Sequence, residues 1–329
     1  MKRLTRRHMS LAALSLASAW LTPASLAQAQ ALETAKIIVG FPAGTTPDVL
    51  ARRVAEKLAP TYAKSVIVEN RTGAGGQLAV SGVKAAPADG ATILLTPLAM
   101  LGVYPHTYRS LPYNAETDLS PVSLGVKFDI AFAVGTGVPA EVKTLTDFIQ
   151  WAKANPARAS VGSPAPGSPL HFASAELSRL SKVELQHIGY RGTVAAIPDL
   201  LGGQLPAMVS PLGEYLKYIP DGKIRVLATS GSKRSGFTPQ IGTFSEQGFK
   251  DLEVQEYYGF YLPAKSSPAQ VQALNTAIRQ AMSQPQVKEA LDTFGMEAAP
   301  SSPEELTTIL RNYSKRWEPV VKAIGFKAD

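Results

Sequence analysis

The sequence predicts an α/β protein of two domains with a ligand cleft between them. Three observations lead there. Apolar runs of strand length alternate with amphipathic segments of helical period, the pattern of sheets covered by helices. The alternation restarts near residue 130, and the apolar runs Phe128–Gly135 and Val254–Pro263 read as strands crossing between two series. Small-residue loops join strand to helix at matching places in both series, and open α/β sheets bind ligands beyond the carboxyl ends of their strands.

In the first series "KIIVGF" is a strand. Asp48 to Ala59 is a helix with Ala51, Val54, Ala55 and Leu58 on one face. "SVIVEN" is a strand, "GQLAVSGVKAA" a helix and "ATILLT" a strand ending at Thr96. "FDIAFAVG" is the first crossing, and "TLTDFIQWAKAN" is a helix capped by Thr144 or Thr146. The second series runs through "RASVGS", "PLHFASAELSRLS", "ELQHIGY", "VAAIPDLLGG", "LPAMVS", "LGEYLKYI" and "KIRVLATS", strand and helix in turn. After the crossing "VQEYYGFYLPA" the tail is helical and packs back on the first domain. Repeated strand–helix units predict parallel sheets. The expected division is residues 32–130 with 255–329, and residues 131–254.

Residues 1–31 stand apart. "MKRLTRRHMS" is basic, "LAALSLASAWL" is apolar and "SLAQAQAL" offers A-x-A-like cleavage sites, the layout of a secretory signal peptide. Thr5 to Leu11 also resembles a twin-arginine signal; an ordinary Sec signal with a chance arginine pair is the competing reading. The apolar run is too short to span a bilayer, which takes about 20 residues. The formal net charge is +7, of which Lys2, Arg3, Arg6 and Arg7 account for four, leaving +3 beyond the leader. That is too mild and too dispersed for a nucleic-acid partner. With no cysteine in the chain, disulfides, thiol catalysis and thiolate metal sites are excluded. An exported, unanchored protein without disulfides fits a bacterial periplasm.

The candidate site is built from loops. In "IIVGFPAGTTPDVLARRVAEKL" a strand meets a helix with Thr46 as its cap, Pro47 at the first helical position and Asp48 in the first turn. Free N–H groups at a helix start favour an anion, although a tidy helix start looks the same. "SVGSPAPGSPLHFASAEL" repeats this grammar, with Ser168 as cap and Pro169 after it. Ser163 and Ser168 can turn their hydroxyls toward a ligand's acceptors. His171 in the first turn suits a ligand contact or a brace for the loop equally. Tyr190 and Arg191 follow another strand, and Arg191 could pair with a carboxylate or stand solvated beside a turn glycine. Ser210 and Glu214 lie at a similar place, and "EYYGFY" puts adjacent tyrosines on a crossing strand, one facing the cleft.

Catalytic motifs are missing. Gly73, Gly75 and Gly76 do not make a dinucleotide fingerprint, and neither a P-loop, a nucleophile elbow nor H-E-x-x-H occurs. The four histidines are dispersed along the chain. No metal, cofactor or catalytic residue is expected.

The motifs "FPAGTTPD", "VIVENRTGAGG", "AAPADGATILL", "LPYNAETDLSPV", "SPAPGSPLHFASAEL", "GYRGTVAAIPDLLGGQL", "GKIRVLATSGSKRS" and "PQIGTFSEQGF" follow one another from about Lys36 to Gly325. Together they resemble the Bug family, the periplasmic solute-binding receptors of tripartite tricarboxylate transporters. The resemblance implies a type II-like two-domain periplasmic binding protein that hinges shut on its ligand. It implies a small carboxylate as ligand (a di- or tricarboxylate, an acidic amino acid or an aromatic acid) and a membrane permease as partner, the receptor itself being a monomer. It places the carboxylate between the loops Phe41–Asp48 and Gly162–His171. On this chain that means Phe41, Pro42, Ala43, Gly44, Thr45, Thr46 and Asp48 from the first loop, and Ser163, Pro164, Ala165, Gly167, Ser168 and His171 from the second. Thr96, Tyr190, Arg191 and Ser210 complete the expected set.

The chain departs from the family pattern P-A-G-G-x-x-D. Thr45 stands at the second glycine, and Pro47 precedes Asp48, removing an N–H donor. Pro166 interrupts the second loop, and the usual P-Y-K-G appears as Gly189-Tyr190-Arg191-Gly192. Two other functions share these features: a periplasmic sensor serving a two-component kinase, and an exported α/β enzyme, against which the missing catalytic motifs count.

Overall fold

A computed structural model of the chain describes residues 32–59 and 61–328. The leader and its cleavage site lie outside the described residues. In chain order the elements are β1 (Leu32–Val39), α1 (Thr46–Leu58), β2 (Ala63–Asn70), α2 (Gln77–Lys84), β3 (Thr92–Pro97), two short helices α3 (Ala99–Gly102) and α4 (Tyr104–Thr107), and β4 (Leu119–Phe128). There follow β5 (Ile130–Val134), α5 (Leu145–Ala154), β6 (Ser160–Ser163), α6 (Pro169–Ser181), β7 (Gln186–Gly189), α7 (Thr193–Gly202), β8 (Ala207–Pro211) and β9 (Arg225–Thr229). The last are β10 (Glu256–Pro263), α8 (Pro268–Ser283), α9 (Pro285–Asp292), β11 (Met296–Ala298) and α10 (Pro303–Ile324).

These strands form two sheets. One has six strands in the order β11-β4-β10-β3-β1-β2, the other five in the order β7-β6-β8-β5-β9. Apolar strand interiors are covered on both faces: Ile37, Ile38, Val39, Ile93, Leu94 and Leu95 are fully buried. On α1, Leu50, Val54 and Leu58 face inward without exposed surface, each contributing about 1.5–3 kcal/mol of apolar burial. Helix α8 packs on β4 and α1, and α10 on β4 and α3, so the helical tail covers the first sheet.

The sheets are mixed, which corrects the expectation of parallel ones. β1 runs parallel to β2 and β3, but β10 is antiparallel to β3 and β4, and β5 is antiparallel to β8 and β9. The cause is the crossing path. β3 and β4 end at the cleft, so a strand arriving from the other sheet starts at the cleft edge and runs the opposite way. Glu256, the first residue of β10, accordingly pairs with Phe128, the last of β4.

Two local features were not legible. The ten-residue strand β4 was not anticipated, because Pro121 and Gly125 interrupt its pattern. The β4–β10 ladder shifts register beside Pro121, which absorbs the missing donor, and a Cβ at Gly125 would lie 2.8 Å from Phe260. The segment "LGEYLKYI", read as a helix, is two tight single turns, Leu212–Glu214 and Leu216–Tyr218. Here Gly213 packs so closely that a Cβ would stand 1.8 Å from the Phe294 carbonyl oxygen.

Candidate functional site

Helix α1 begins one residue earlier than expected, with Thr45 rather than Thr46 at the cap, and no side chain caps it. The loop before it is braced from within. Gly44 takes φ +81°, which a glycine permits. Its N–H donates to Asp48 Oδ2 at 2.9 Å, and the Thr45 hydroxyl donates to the Pro42 carbonyl at 2.6 Å. Asp48 also accepts from Asn70 Nδ2 and from two nitrogens of Arg52, each at 2.9 Å. Burial alone would raise the Asp48 carboxyl; the donors Arg52, Gly44 and Asn70 outweigh it and hold it below its ordinary range.

The first free N–H of α1, on Thr46, does not face an empty cleft. It donates to Glu214 Oε1 of the other wall at 2.8 Å. The Thr46 hydroxyl shares a 2.7 Å hydrogen bond with Tyr258 on β10. Glu214 is partly buried. Burial pushes its carboxyl up to about 7, opposed by the bonds from Thr46 and by Lys217.

On the other wall α6 starts at Pro169 with Ser168 at the cap, as the sequence reading had it, yet the hydroxyl does not cap. Ser168 Oγ is buried and has no hydrogen-bond partner among the described residues. The loop behind it rests on two stacked histidines, His171 and His187, with ring centroids 3.7 Å apart. Gly167 N–H donates to His171 Nδ1, so that ring is neutral with its proton on Nε2, and Ser163 Oγ hydrogen-bonds His187 Nε2 at 2.9 Å. Burial, then the neighbouring His187, pushes His171 down to about 3; burial pushes His187 down to about 4.

Between the walls lies a cavity of about 40 Å³. This is room for a few waters, so a larger guest enters only as the walls separate. Phe41, Thr45, Thr46, Pro47, Pro97, Ala99, Met100, Phe128, Glu256 and Tyr258 line it from the first sheet's side. Pro164, Ala165, Ser168, Pro169, Leu170, Thr193, Pro211 and Glu214 line it from the second. Six expected residues meet there: Phe41, Thr45, Thr46, Pro164, Ala165 and Ser168. Pro42, Ala43, Gly44, Asp48, Thr96, Ser163, Gly167, His171, Tyr190, Arg191 and Ser210 lie outside the lining. Several of these support it. Ser210 Oγ shares a 2.6 Å bond with Thr193, and Tyr190 donates to Asp199. Pro42 reaches across to Gly192, where a Cβ would sit 2.9 Å from its ring. Arg191 is exposed.

Glu214 and a cleft-facing tyrosine are both offered by the sequence, and both line the cavity. Tyr258 faces the cavity, while Tyr257 turns to Tyr313 on α10, as strand alternation requires. Glu256 and Met100 carried no signal. Glu256 is 3% exposed, both its oxygens accept from the Tyr313 hydroxyl at 2.8 and 2.9 Å, and burial pushes its carboxyl up to about 8.

Comparison with known proteins agrees with this architecture. The family described as "Tripartite tricarboxylate transporter family receptor" matches residues 50–326. Protein BugT of Bordetella pertussis is 30% identical over 297 residues, covering 89% of this chain and 89% of that protein. Among solved structures, MatC (Rpa3494) of Rhodopseudomonas palustris with bound malate is 26% identical with a TM-score of 0.81, over 88% of this chain and 98% of that one. Rpa4515 of R. palustris with adipate is 26% identical with a TM-score of 0.84, over 89% and 98%. The overall fold is thus shared with these solved structures, and the chain belongs to the tripartite tricarboxylate transporter receptors, the Bug-type periplasmic solute-binding proteins.

Proposed function

We propose that this protein is exported to the periplasm, captures a small carboxylate between its two domains as a monomer, and hands it to a membrane permease of the tripartite tricarboxylate type. One observation carries the reading. The starts of α1 and α6, one from each sheet, border a single cavity, and Ser168 Oγ stands in its wall as a buried hydroxyl without a partner. The first free N–H of α1 is taken by Glu214, and the start of α6 supplies the positive dipole end that favours an anion. A buried hydroxyl left unpaired costs about 1–3 kcal/mol, a cost that a ligand oxygen removes. Bound malate and adipate in two related structures support a carboxylate as the guest. The division of labour follows residues 32–130 with 255–329 as one domain and 131–254 as the other, moving about the crossings after β4 and before β10.

A thermal-shift screen tests the reading. A carboxylate at 100 times its dissociation constant adds roughly 2.7 kcal/mol of stability. A screen in which neutral sugars or carboxylate-free amines shift the melt while every carboxylate leaves it unmoved sinks the proposal.

A further inference from the structure

The cavity wall carries two acids, Glu214 and Glu256, and among the described residues no lysine, arginine or histidine lines it. That is an unexpected lining for a receptor of dianions, because Glu214 once ionised repels a second carboxylate unless a cation or a donor lies between them. The position of Glu214 sharpens the point. Its Oε1 already takes the first free N–H of α1, on Thr46, at 2.8 Å. The seat that this helix start would offer a ligand's carboxylate is occupied by the protein's own. The start of α6 differs: Ser168 Oγ, 1% exposed, has no partner. The same lining therefore presents an unclaimed hydroxyl at the positive dipole end of α6 and, apart from it, the carboxyl group of Glu214. Apolar surface from Phe41, Pro97 and Met100 lies in the same lining.

We infer that Glu214 sets the ligand's polarity: the cleft takes an acid whose carboxylate meets Ser168 and whose far end carries an N–H donor, an amine or an amide, in preference to a dicarboxylate. The inference rests on the carboxylate reading above and narrows it. Glutamate oxygens accept and cannot donate when ionised. An ammonium or amide placed against Glu214 makes a charge-assisted hydrogen bond, and a second carboxylate there meets like charge.

Titration calorimetry on the purified protein at mildly alkaline pH decides it. The probes are adipate, adipamate and ε-aminocaproate, and the shorter set glutarate, glutaramate and δ-aminovalerate. The nitrogen-bearing member of a set is expected to bind about 10-fold or more tighter than its diacid, the ratio one charge-assisted hydrogen bond supplies. In Glu214→Gln, which keeps an oxygen for Thr46 N–H, that ratio falls to about one or inverts. A diacid that binds wild type as tightly as its partners, or a ratio unchanged in Glu214→Gln, overturns the inference and leaves the carboxylate reading standing. Cadaverine, a diamine without a carboxylate, separates the two. If it binds, no acid binds, and Glu214→Gln abolishes its binding, the carboxylate reading falls and the role of Glu214 survives. If it binds regardless of Glu214→Gln while no acid binds, or if no probe binds, both fall.

Discussion

Replacing Glu256 by glutamine should make the protein's stability less sensitive to alkali. The carboxyl lies at the start of β10, 3% exposed, with the Tyr313 hydroxyl as its donor. Burial carries it from its ordinary 4.5 to about 8. Between those values the folded chain holds a proton that the unfolded chain has released. Stability depends on pH through the protons bound unfolded minus those bound folded. That difference is negative here, so stability falls as pH rises through the window and is level on either side. The shift amounts to about 5 kcal/mol across the whole window. Glutamine has no proton to lose, and its carbonyl still accepts from Tyr313. Its new amide lacks an assigned partner and costs about 1–3 kcal/mol at every pH. Urea unfolding followed by tryptophan fluorescence at about pH 5 and pH 8.5 reads the difference between wild type and variant. Glu256→Gln should be the less stable at the lower pH and the more stable at the higher. A difference that stays constant within about 1 kcal/mol between the two would refute the assignment of a buried, proton-holding Glu256.

Ser168→Ala should stabilise the ligand-free protein by up to about 1–3 kcal/mol, because it removes a buried hydroxyl that has no partner among the described residues. Carboxylate affinity should drop by about 10-fold in the same variant, and calorimetry showing unchanged affinity would remove Ser168 from the site. Gly192→Ala sits at φ +88° and ψ 160°, a nearly glycine-only conformation that should cost about 1–3 kcal/mol, and it places a Cβ 2.9 Å from Pro42 on the opposite wall, which opposes closure. Its signature is weaker ligand binding with a larger radius of gyration in ligand, measured by small-angle scattering; a wild-type radius refutes it. Asp48→Asn removes the charge that pairs with Arg52 and should destabilise by about 1.5–3 kcal/mol at neutral pH. The Asp48 carboxyl is lowered in the fold, so its contribution is present above the ordinary 3.8 and fades as pH falls through the lowered value. The gap between variant and wild type should close in strong acid, and melts at pH 7 and in strong acid that show an equal gap would count against the ion pair.

Much of the chain was legible because its signals are local. Pro169 after Ser168 marked the start of α6, which stands where the pattern put it, and the buried face of α1 repeats at helical spacing, which placed that helix to within a residue. β4 escaped because its proline and glycine deny it a strand pattern, and only the bulged ladder with β10 explains how they are tolerated. Asp48 and His171 show why a residue's place in a loop is legible while the direction of its side chain is not. Each lies in the expected segment, but Asp48 turns inward to Arg52 and Asn70 and His171 turns back to Gly167. Residue type announces a polar group, while its direction depends on partners 22 residues or more away in the case of Asn70.

By itself the sequence determined the alternation of strands and helices, the two-series plan and the two small-residue loops, since periodicity, proline placement and glycine freedom act over a few residues. Tertiary structure alone decided the direction of the crossing strands and the composition of the cleft. Thr46 and Glu214 are 168 residues apart, and Glu256 reaches the same cavity from a third part of the chain. Their meeting depends on which strand ends share the cleft edge, a consequence of the chain passing twice between the sheets, and no local pattern encodes it. The acidic lining of the site, two carboxyl groups with no cation beside them among the described residues, therefore became visible only once the fold had brought its walls together.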